Sequence, residues 1–68
     1  PAIEIAKILL LRENINKLES RLGKTIPIKE IKKELEGRIN EDEIDEIIDK
    51  LKRSGDIYEP KKGYIEKI

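Results

Sequence analysis

Residues 40–68 decide the fold, and they read NEDEIDEIIDKLKRSGDIYEPKKGYIEKI. Four apolar residues in the first half of this stretch recur at the spacing of one helix face, namely Ile44, Ile47, Ile48 and Leu51. Asn40 is a favourable N-cap, acidic residues fill the first turn, and basic residues fill the last turn, as the helix dipole favours. The pattern predicts a helix over residues 41–54 that ends at Gly55.

The second half of the stretch predicts a β-hairpin over residues 56–68. Polar and apolar residues alternate on both sides of the segment 60–63, and this alternation is typical of half-buried strands. Proline at the start of this segment favours a turn, and glycine at its end favours a left-handed exit. Residues 60–63 are therefore expected to form a four-residue hairpin loop.

Two further helices are predicted upstream of this stretch. Apolar residues at helical spacing predict a long helix over residues 3–22 and a short helix over residues 28–36. The segment Thr25–Ile26 is expected to add a third strand to the hairpin, because a two-stranded ribbon is only marginally stable alone. Residues 1–68 are therefore expected to form a single, mainly α-helical domain with a small β-hairpin, a winged helix-turn-helix.

The composition argues against catalysis by this chain. Its 68 residues include 15 basic and 15 acidic side chains but no cysteine and no histidine. Disulfides, thiolate metal sites, a cysteine nucleophile and a histidine general base are therefore excluded. The four glycines are scattered singly, so no phosphate-binding glycine loop is present. We expect a non-enzymatic domain without a metal, a cofactor or a small-molecule ligand, and zero net charge does not favour nucleic acid as its partner.

No segment of the sequence is apolar enough to cross a membrane. The longest apolar run is Ile8–Leu11, far below the ~18 residues that a bilayer span needs. The amino terminus also lacks the basic start and long apolar stretch of a secretory signal. We therefore expect a cytoplasmic protein. Enrichment in lysine, glutamate and isoleucine, without glutamine or methionine, is typical of proteins from thermophiles.

One family shows the same order of features. Residues 51–65, LKRSGDIYEPKKGYI, follow an acidic helix, and residues 26–31 read IPIKEI. These segments resemble the C-terminal winged-helix domain of archaeal minichromosome maintenance (MCM) replicative helicases. The resemblance covers residues 26–65, and the first helix only by its pattern. It implies a nucleoid-associated regulatory appendage of an ATP-dependent DNA helicase. Such an appendage has no ATPase machinery of its own, docks to proteins or to its parent chain, and modulates the ATPase with at most weak DNA contact.

The third helix takes the position of a DNA-recognition helix, yet its charge is unfavourable for DNA. It carries six acidic residues against three basic ones, and the end that would enter the major groove is acidic. One interpretation is that these acids only complement the helix dipole. The other is a docking surface for a basic protein partner. The candidate docking face comprises Glu41, Asp42, Asp45, Glu46, Asp49, Tyr58 and Tyr64.

A different function would place nucleic acid on lysines of the wing and of the second helix. The candidate contacts are Lys29, Lys32, Lys33, Lys61 and Lys62. The simpler interpretation of these lysines is a solvated surface. The alternative to a helicase domain is a DNA-binding winged-helix domain of a transcription regulator or of an archaeal replication protein A-like single-strand-binding protein.

Two apolar features leave alternatives open. Tyr58 and Tyr64 are expected to pack as a cross-strand pair or against the third helix, with base stacking or partner contact as the alternative. Ile5, Leu9 and Leu10 widen the apolar surface of the first helix beyond its main stripe. They form either a wide core contact or an exposed patch through which the domain oligomerises.

Overall fold

The elements follow one another in the order of a winged helix-turn-helix. The computed structural model describes residues 5–68. In chain order the elements are α1 (Ile5–Leu22), β1 (Ile26–Pro27), α2 (Ile28–Glu34), α3 (Glu41–Arg53), β2 (Ile57–Lys61) and β3 (Tyr64–Lys67). The predicted fold class, three helices with a small antiparallel sheet, is confirmed.

The first helix covers the core with one face. Its buried residues follow helical spacing and are Leu11, Asn14, Ile15 and Leu18. The helix ends at Leu22, and the backbone N–H of Gly23 then donates to the Glu19 carbonyl over 3.0 Å. The expected start at residue 3 lies outside the described residues.

The short α2 and the turn after it set the position of α3. Pro27 precedes α2 with an extended backbone, φ −68° and ψ 130°, which suits a residue at a helix start. α2 ends at Glu34, before the expected end at residue 36, because Leu35 leaves the helical conformation with ψ 5°. The buried side chains of Leu35 and Ile39 then anchor the turn to the core.

The third helix ends slightly earlier than its sequence pattern predicts. It runs from Glu41 to Arg53, so that Ser54, expected as its last residue, is its C-cap. The Ser54 hydroxyl donates to the Leu51 carbonyl over 3.1 Å, which satisfies one of the carbonyls that a helix end leaves without a partner.

The sheet places β3 between the other two strands, in the order β1-β3-β2. Both pairings are antiparallel, with Ile26 opposite Ile65 on the β1 side and Ile57 opposite Lys67 on the β2 side. The third strand expected near residues 25–26 is therefore present as β1. β1 covers the free edge of β3 and also contacts α1 and α2.

The turn of the wing is shorter than expected. β2 continues through Lys61, which pairs with Tyr64, so the turn consists of residues 62–63 and the prediction of a loop over 60–63 is wrong. Pro60 stays within β2 because this is an edge strand whose register shifts beside it. A residue without an N–H is tolerated at such a position, since no ladder hydrogen bond is lost.

Isoleucine and leucine form the hydrophobic core of the described residues. The largest fully buried side chains are Leu11, Leu18, Ile26, Ile31, Ile44, Ile47 and Ile65. They come from all three helices and from two strands, so each element contributes to one continuous cluster. Within residues 5–68, no helix has the length and apolar content that a membrane span requires.

Candidate functional site

The third helix has one buried face and one solvent-exposed face, and both are held in fixed orientation. On the buried face, Ile44, Ile47 and Ile48 are at most 3% exposed. At its start, the Asn40 side chain accepts a hydrogen bond from the Glu43 backbone N–H over 2.9 Å. This contact is the predicted N-cap, and it satisfies one of the free donors of the first turn.

Three exposed carboxylates form a row along the outer face of α3. We call Asp42, Glu46 and Asp49 the acidic stripe, since spacings of four and three residues place them on one helix face. Asp49 pairs with Arg53 at 3.3 Å, whereas Asp42 and Glu46 form no salt bridge within the described residues. The stripe therefore presents negative charge to solvent from the position at which related folds read DNA.

Two other carboxylates of α3 bind partners inside the domain. Glu43 accepts from Lys7 of α1 over 2.6 Å, and Asp45 pairs with Lys32 of α2 at 3.0 Å. The hydrogen bond from Lys7 lowers the pKa of Glu43, and the hydrogen bond to Asp45 raises the pKa of Lys32. Glu41 is exposed and adds to the negative potential at Lys32. The predicted docking face is thus divided, because Asp45 joins α3 to α2.

The candidate lysines of the wing lie in two environments. The Lys61 ammonium lies 4.3 Å from the centroid of the Tyr64 ring, in a cation–π contact. Lys62 is exposed in the turn and forms no salt bridge with any other described residue. Lys62 therefore projects from the wing without a salt bridge among the residues described, although its charge helps to lower the pKa of Glu59.

The candidate lysines of α2 also differ from one another. Lys32 is engaged by an aspartate of α3, whereas Lys29 and Lys33 are exposed and lack a salt bridge among residues 5–68. Lys29 lines an open groove that α2 shares with α3 and the wing, and Lys33 lines a second groove beside the turn that follows α2. The structure therefore brings Lys29 and Lys62 to the same groove and leaves Lys33 outside it.

One glutamate fixes the wing to α3. The two carboxylate oxygens of Glu59 accept from the Lys52 ammonium over 2.7 Å and from the Gly63 backbone N–H over 2.9 Å. Both hydrogen bonds lower the pKa of Glu59, and the bond from Lys52 has the larger effect. The wing turn is also tied to α2, since the Ile28 N–H donates to the Gly63 carbonyl over 2.9 Å. The wing, α2 and α3 therefore form one connected surface.

The two tyrosines do not form the expected cross-strand pair. The register places Tyr58 opposite Glu66 and Tyr64 opposite Lys61, and the Tyr58 hydroxyl donates to Glu66 over 2.8 Å. The prediction of a pair is wrong because the short turn and the register shift within β2 determine which residues face each other. Tyr58 is exposed on the outer face of the sheet, and Tyr64 is half-buried beside the wing.

These features match a known family over most of the chain. A family model described as the MCM protein C-terminal winged helix-turn-helix domain matches residues 7–68. The chain belongs to this family. No curated protein matches the chain. The resemblance seen in residues 26–65 is therefore confirmed, and the match also covers most of α1. It favours an MCM protein over a transcription regulator or a single-strand-binding protein.

Two glutamates of this MCM winged-helix domain have structural roles that its sequence pattern did not reveal. The second, besides Glu59, is Glu66, which accepts hydrogen bonds from the Thr25 hydroxyl over 2.6 Å and from the Tyr58 hydroxyl over 2.8 Å. Both bonds lower the pKa of Glu66, and the bond from Thr25 has the larger effect. Glu66 of β3 thereby contacts β2 and the residue that precedes β1. Strand alternation indicated the outer face of the sheet, but naming the partners requires the register.

The apolar residues Ile5 and Leu9, near the start of α1 in the MCM winged-helix domain, are exposed. Ile5 is 74% exposed and Leu9 is 53% exposed, whereas Leu10 packs against the core. The expected patch of three residues is therefore reduced, because Leu10 serves as a core contact. Oligomerisation through Ile5 and Leu9 stays a prediction, and the sedimentation mass at high protein concentration would test it.

The candidate binding features of the MCM winged-helix domain are charged residues and surface grooves. Among residues 5–68, no cluster of three or more histidine, cysteine, aspartate or glutamate side chains could hold a metal ion. Winged-helix domains of this kind are generally non-catalytic. In residues 5–68, the features available for binding include the acidic stripe on α3 and the grooves on either side of α2.

Proposed function

We propose that this MCM winged-helix domain is a non-catalytic docking module that acts at the nucleoid in the cytoplasm. Its acidic stripe binds a basic protein surface, including one on the remainder of the parent chain, and thereby modulates the ATPase of a replicative helicase. The observation that supports the proposal is the exposure of Asp42, Glu46 and Asp49 on the helix in the DNA-recognition position. Contact with DNA is weak or indirect.

Among the described residues, the cations of α3 form a salt bridge with the stripe only at Asp49. Lys52 is paired with Glu59 at 2.7 Å and Arg53 with Asp49 at 3.3 Å, which leaves Lys50 as the one α3 cation without a salt bridge in the described part of the chain. Duplex DNA carries one negative charge per ~1.7 Å of its axis. Insertion of α3 into the major groove would therefore bring unpaired carboxylates close to phosphates.

A basic protein surface, unlike DNA, is attracted by the carboxylates of the stripe. The stripe lies on a helix fixed by buried isoleucines, so the lysines or arginines of a partner meet a preformed row of carboxylates. Exposed ion pairs contribute about 0.2–1 kcal/mol each, so docking through the stripe is reversible and sensitive to salt. Weak contact of this kind is effective when both surfaces belong to one chain, because linkage raises their effective concentration.

Charge reversal on the stripe tests the proposal. The variant Asp42→Lys/Glu46→Lys is compared with Glu13→Lys/Glu36→Lys, which makes the same change in net charge at exposed positions outside the stripe. Each domain is titrated into the ATPase portion of an MCM protein, and calorimetry and the rate of ATP hydrolysis are measured. Two reversals replace attraction by repulsion and are expected to weaken docking about tenfold. The control variant is expected to dock like the wild type.

A second assay addresses DNA directly. Labelled duplex and single-stranded DNA are titrated with the domain at low salt, and fluorescence anisotropy is measured. We expect weak binding without sequence preference. Tight, sequence-selective DNA binding in this assay would refute the proposal. In the docking assay, an equal loss of affinity in the stripe variant and in its control would also refute it.

Direct DNA contact through the wing is the second candidate function. The observation in its favour is that Lys62, Lys29 and Lys33 are exposed. If this function is correct, Lys61→Ala/Lys62→Ala abolishes DNA binding in the anisotropy assay, whereas the stripe variant binds DNA more tightly than the wild type. Unchanged binding in the lysine variant would exclude this mode.

A further inference from the structure

The groove between α2, α3 and the wing combines an apolar lining with flanking lysines, which the acidic stripe lacks. We call it the wing groove; it has a volume of about 470 Å³, and its apolar lining comes from Pro27, Ile28 and Tyr64. Lys29 lies on its α2 side and Lys62 on its wing side. An apolar surface flanked by two cations is complementary to a ligand that is itself both apolar and anionic.

The carboxylates of the wing groove are already engaged within the domain. Asp45 pairs with Lys32 at 3.0 Å, and both carboxylate oxygens of Glu59 accept hydrogen bonds, from Lys52 and from a backbone N–H of the turn. The two flanking lysines, in contrast, form no salt bridge among residues 5–68. The charge that the groove offers to a ligand is therefore positive, although acidic residues line it.

We propose that the wing groove binds a short extended peptide segment of a protein partner, in which an acidic residue stands next to a large apolar residue. The carboxylate lies between Lys29 and Lys62, and the apolar side chain packs against Ile28 and Tyr64. A carboxylate is complementary in charge to the two flanking lysines of the groove, and such complementarity is typical of interfaces. Burial of the apolar side chain supplies about 25 cal/mol per Å² of area removed from water.

The carboxylates of α3 favour a peptide over nucleic acid in this groove. The α3 wall of the groove carries Asp45, and the acidic stripe follows on the same helix, so a strand of phosphates that left the groove along α3 would meet further carboxylates. A peptide needs only one anionic group and avoids this repulsion.

This peptide site is separate from the proposed docking through the stripe. The stripe selects basic groups and the groove selects an acidic one, so a partner that satisfies both must present opposite charges in a defined order. Such a pair of contacts fixes the orientation of docking, because the reversed arrangement sets like charges against each other. The groove proposal does not depend on the stripe proposal.

A titration followed by nuclear magnetic resonance tests the groove. The probe is the acidic peptide GSELELSG, with GSKLKLSG as the charge-reversed peptide and an eight-residue oligothymidine as the nucleic acid. The wild type is compared with Lys29→Glu/Lys62→Glu and with Lys17→Glu/Lys24→Glu, a control with the same change in net charge at exposed positions away from the groove. The neutral variant Lys29→Gln/Lys62→Gln is added, and circular dichroism monitors folding of every variant.

We expect the acidic peptide to shift amide resonances around Ile28, Lys62 and Tyr64 and to leave those of the acidic stripe unchanged. Binding should weaken at least tenfold in Lys29→Glu/Lys62→Glu, weaken less in the glutamine variant, and stay within twofold of wild type in the control. The proposal is overturned if the acidic peptide does not bind at millimolar concentration, if the control loses as much affinity, or if GSKLKLSG or the oligothymidine binds the groove more tightly.

Discussion

Replacement of Ile47 by alanine is expected to destabilise the domain by about 3–4 kcal/mol. Ile47 is 0% exposed and lies on the face of α3 opposite the acidic stripe. The substitution removes three carbon atoms, each of which contributes about 0.8 kcal/mol through its removal from water. The remaining cost comes from the cavity, since the surrounding isoleucines and leucines relax only in part.

A loss of this size is a large part of the stability of so small a domain. Single domains are stable by about 5–15 kcal/mol, and short chains bury the smallest fraction of their surface. In domains of this length each kcal/mol changes the melting temperature by about 4–8 °C. The melting temperature of Ile47→Ala is therefore expected to fall by about 12 °C or more.

The variant Ile68→Ala is the matched control, because it removes the same three carbon atoms from a side chain that is 78% exposed. Its free energy of unfolding should stay within about 0.5 kcal/mol of the wild type. Urea denaturation followed by circular dichroism measures both variants, and equal slopes would show that the denatured states are alike. A loss below about 1 kcal/mol in Ile47→Ala, or an equal loss in the control, would refute the assignment of the core.

Three further predictions concern the helix cap, the wing turn and acid sensitivity. Asn40→Ala removes the acceptor of the Glu43 N–H and should cost about 1 kcal/mol of unfolding free energy in urea titrations. Gly63→Ala should cost about 1–2 kcal/mol in thermal unfolding, because φ at this position is +86°, a left-handed conformation that strains other residues. The hydrogen bond from Lys52 lowers the pKa of Glu59 below 4.5 in the folded state. The ionised Glu59 therefore stabilises the fold above pH 4.5, and this stabilisation is lost as the pH falls through the lowered pKa. The difference in unfolding free energy between the wild type and Glu59→Gln should therefore shrink in acid.

Each of these predictions has its own control. Asn40→Asp should retain most of the stability, because aspartate caps as well as asparagine; an equal loss in both variants would argue against a capping role. Gly63→Asn should cost less than Gly63→Ala, because asparagine tolerates the left-handed region. If the difference between the wild type and Glu59→Gln stays constant from neutral pH to about pH 3, the contact with Lys52 does not stabilise the fold.

The sequence was sufficient for the cap and the two faces of α3, which depend on neighbours along the chain. The Asn40 cap, the isoleucine face of α3 and the acidic residues on its other face follow from helical spacing within a few residues. The order of the helices and the hairpin follows in the same way, and the family resemblance in residues 26–65 belongs to this local pattern. Local spacing also predicted that α3 would present carboxylates to solvent.

Tertiary structure alone decided which of these charges are available for binding. Glu43 is engaged by Lys7, which lies 36 residues away in the chain, and no spacing rule connects them. The two-residue turn and the register shift of the wing placed Glu66 opposite Tyr58 and brought Lys62 to the same groove as Lys29. Strand pairing and ion pairs between distant residues are settled only when the isoleucine and leucine core brings the elements together, because their free energy depends on the packed arrangement and not on sequence separation.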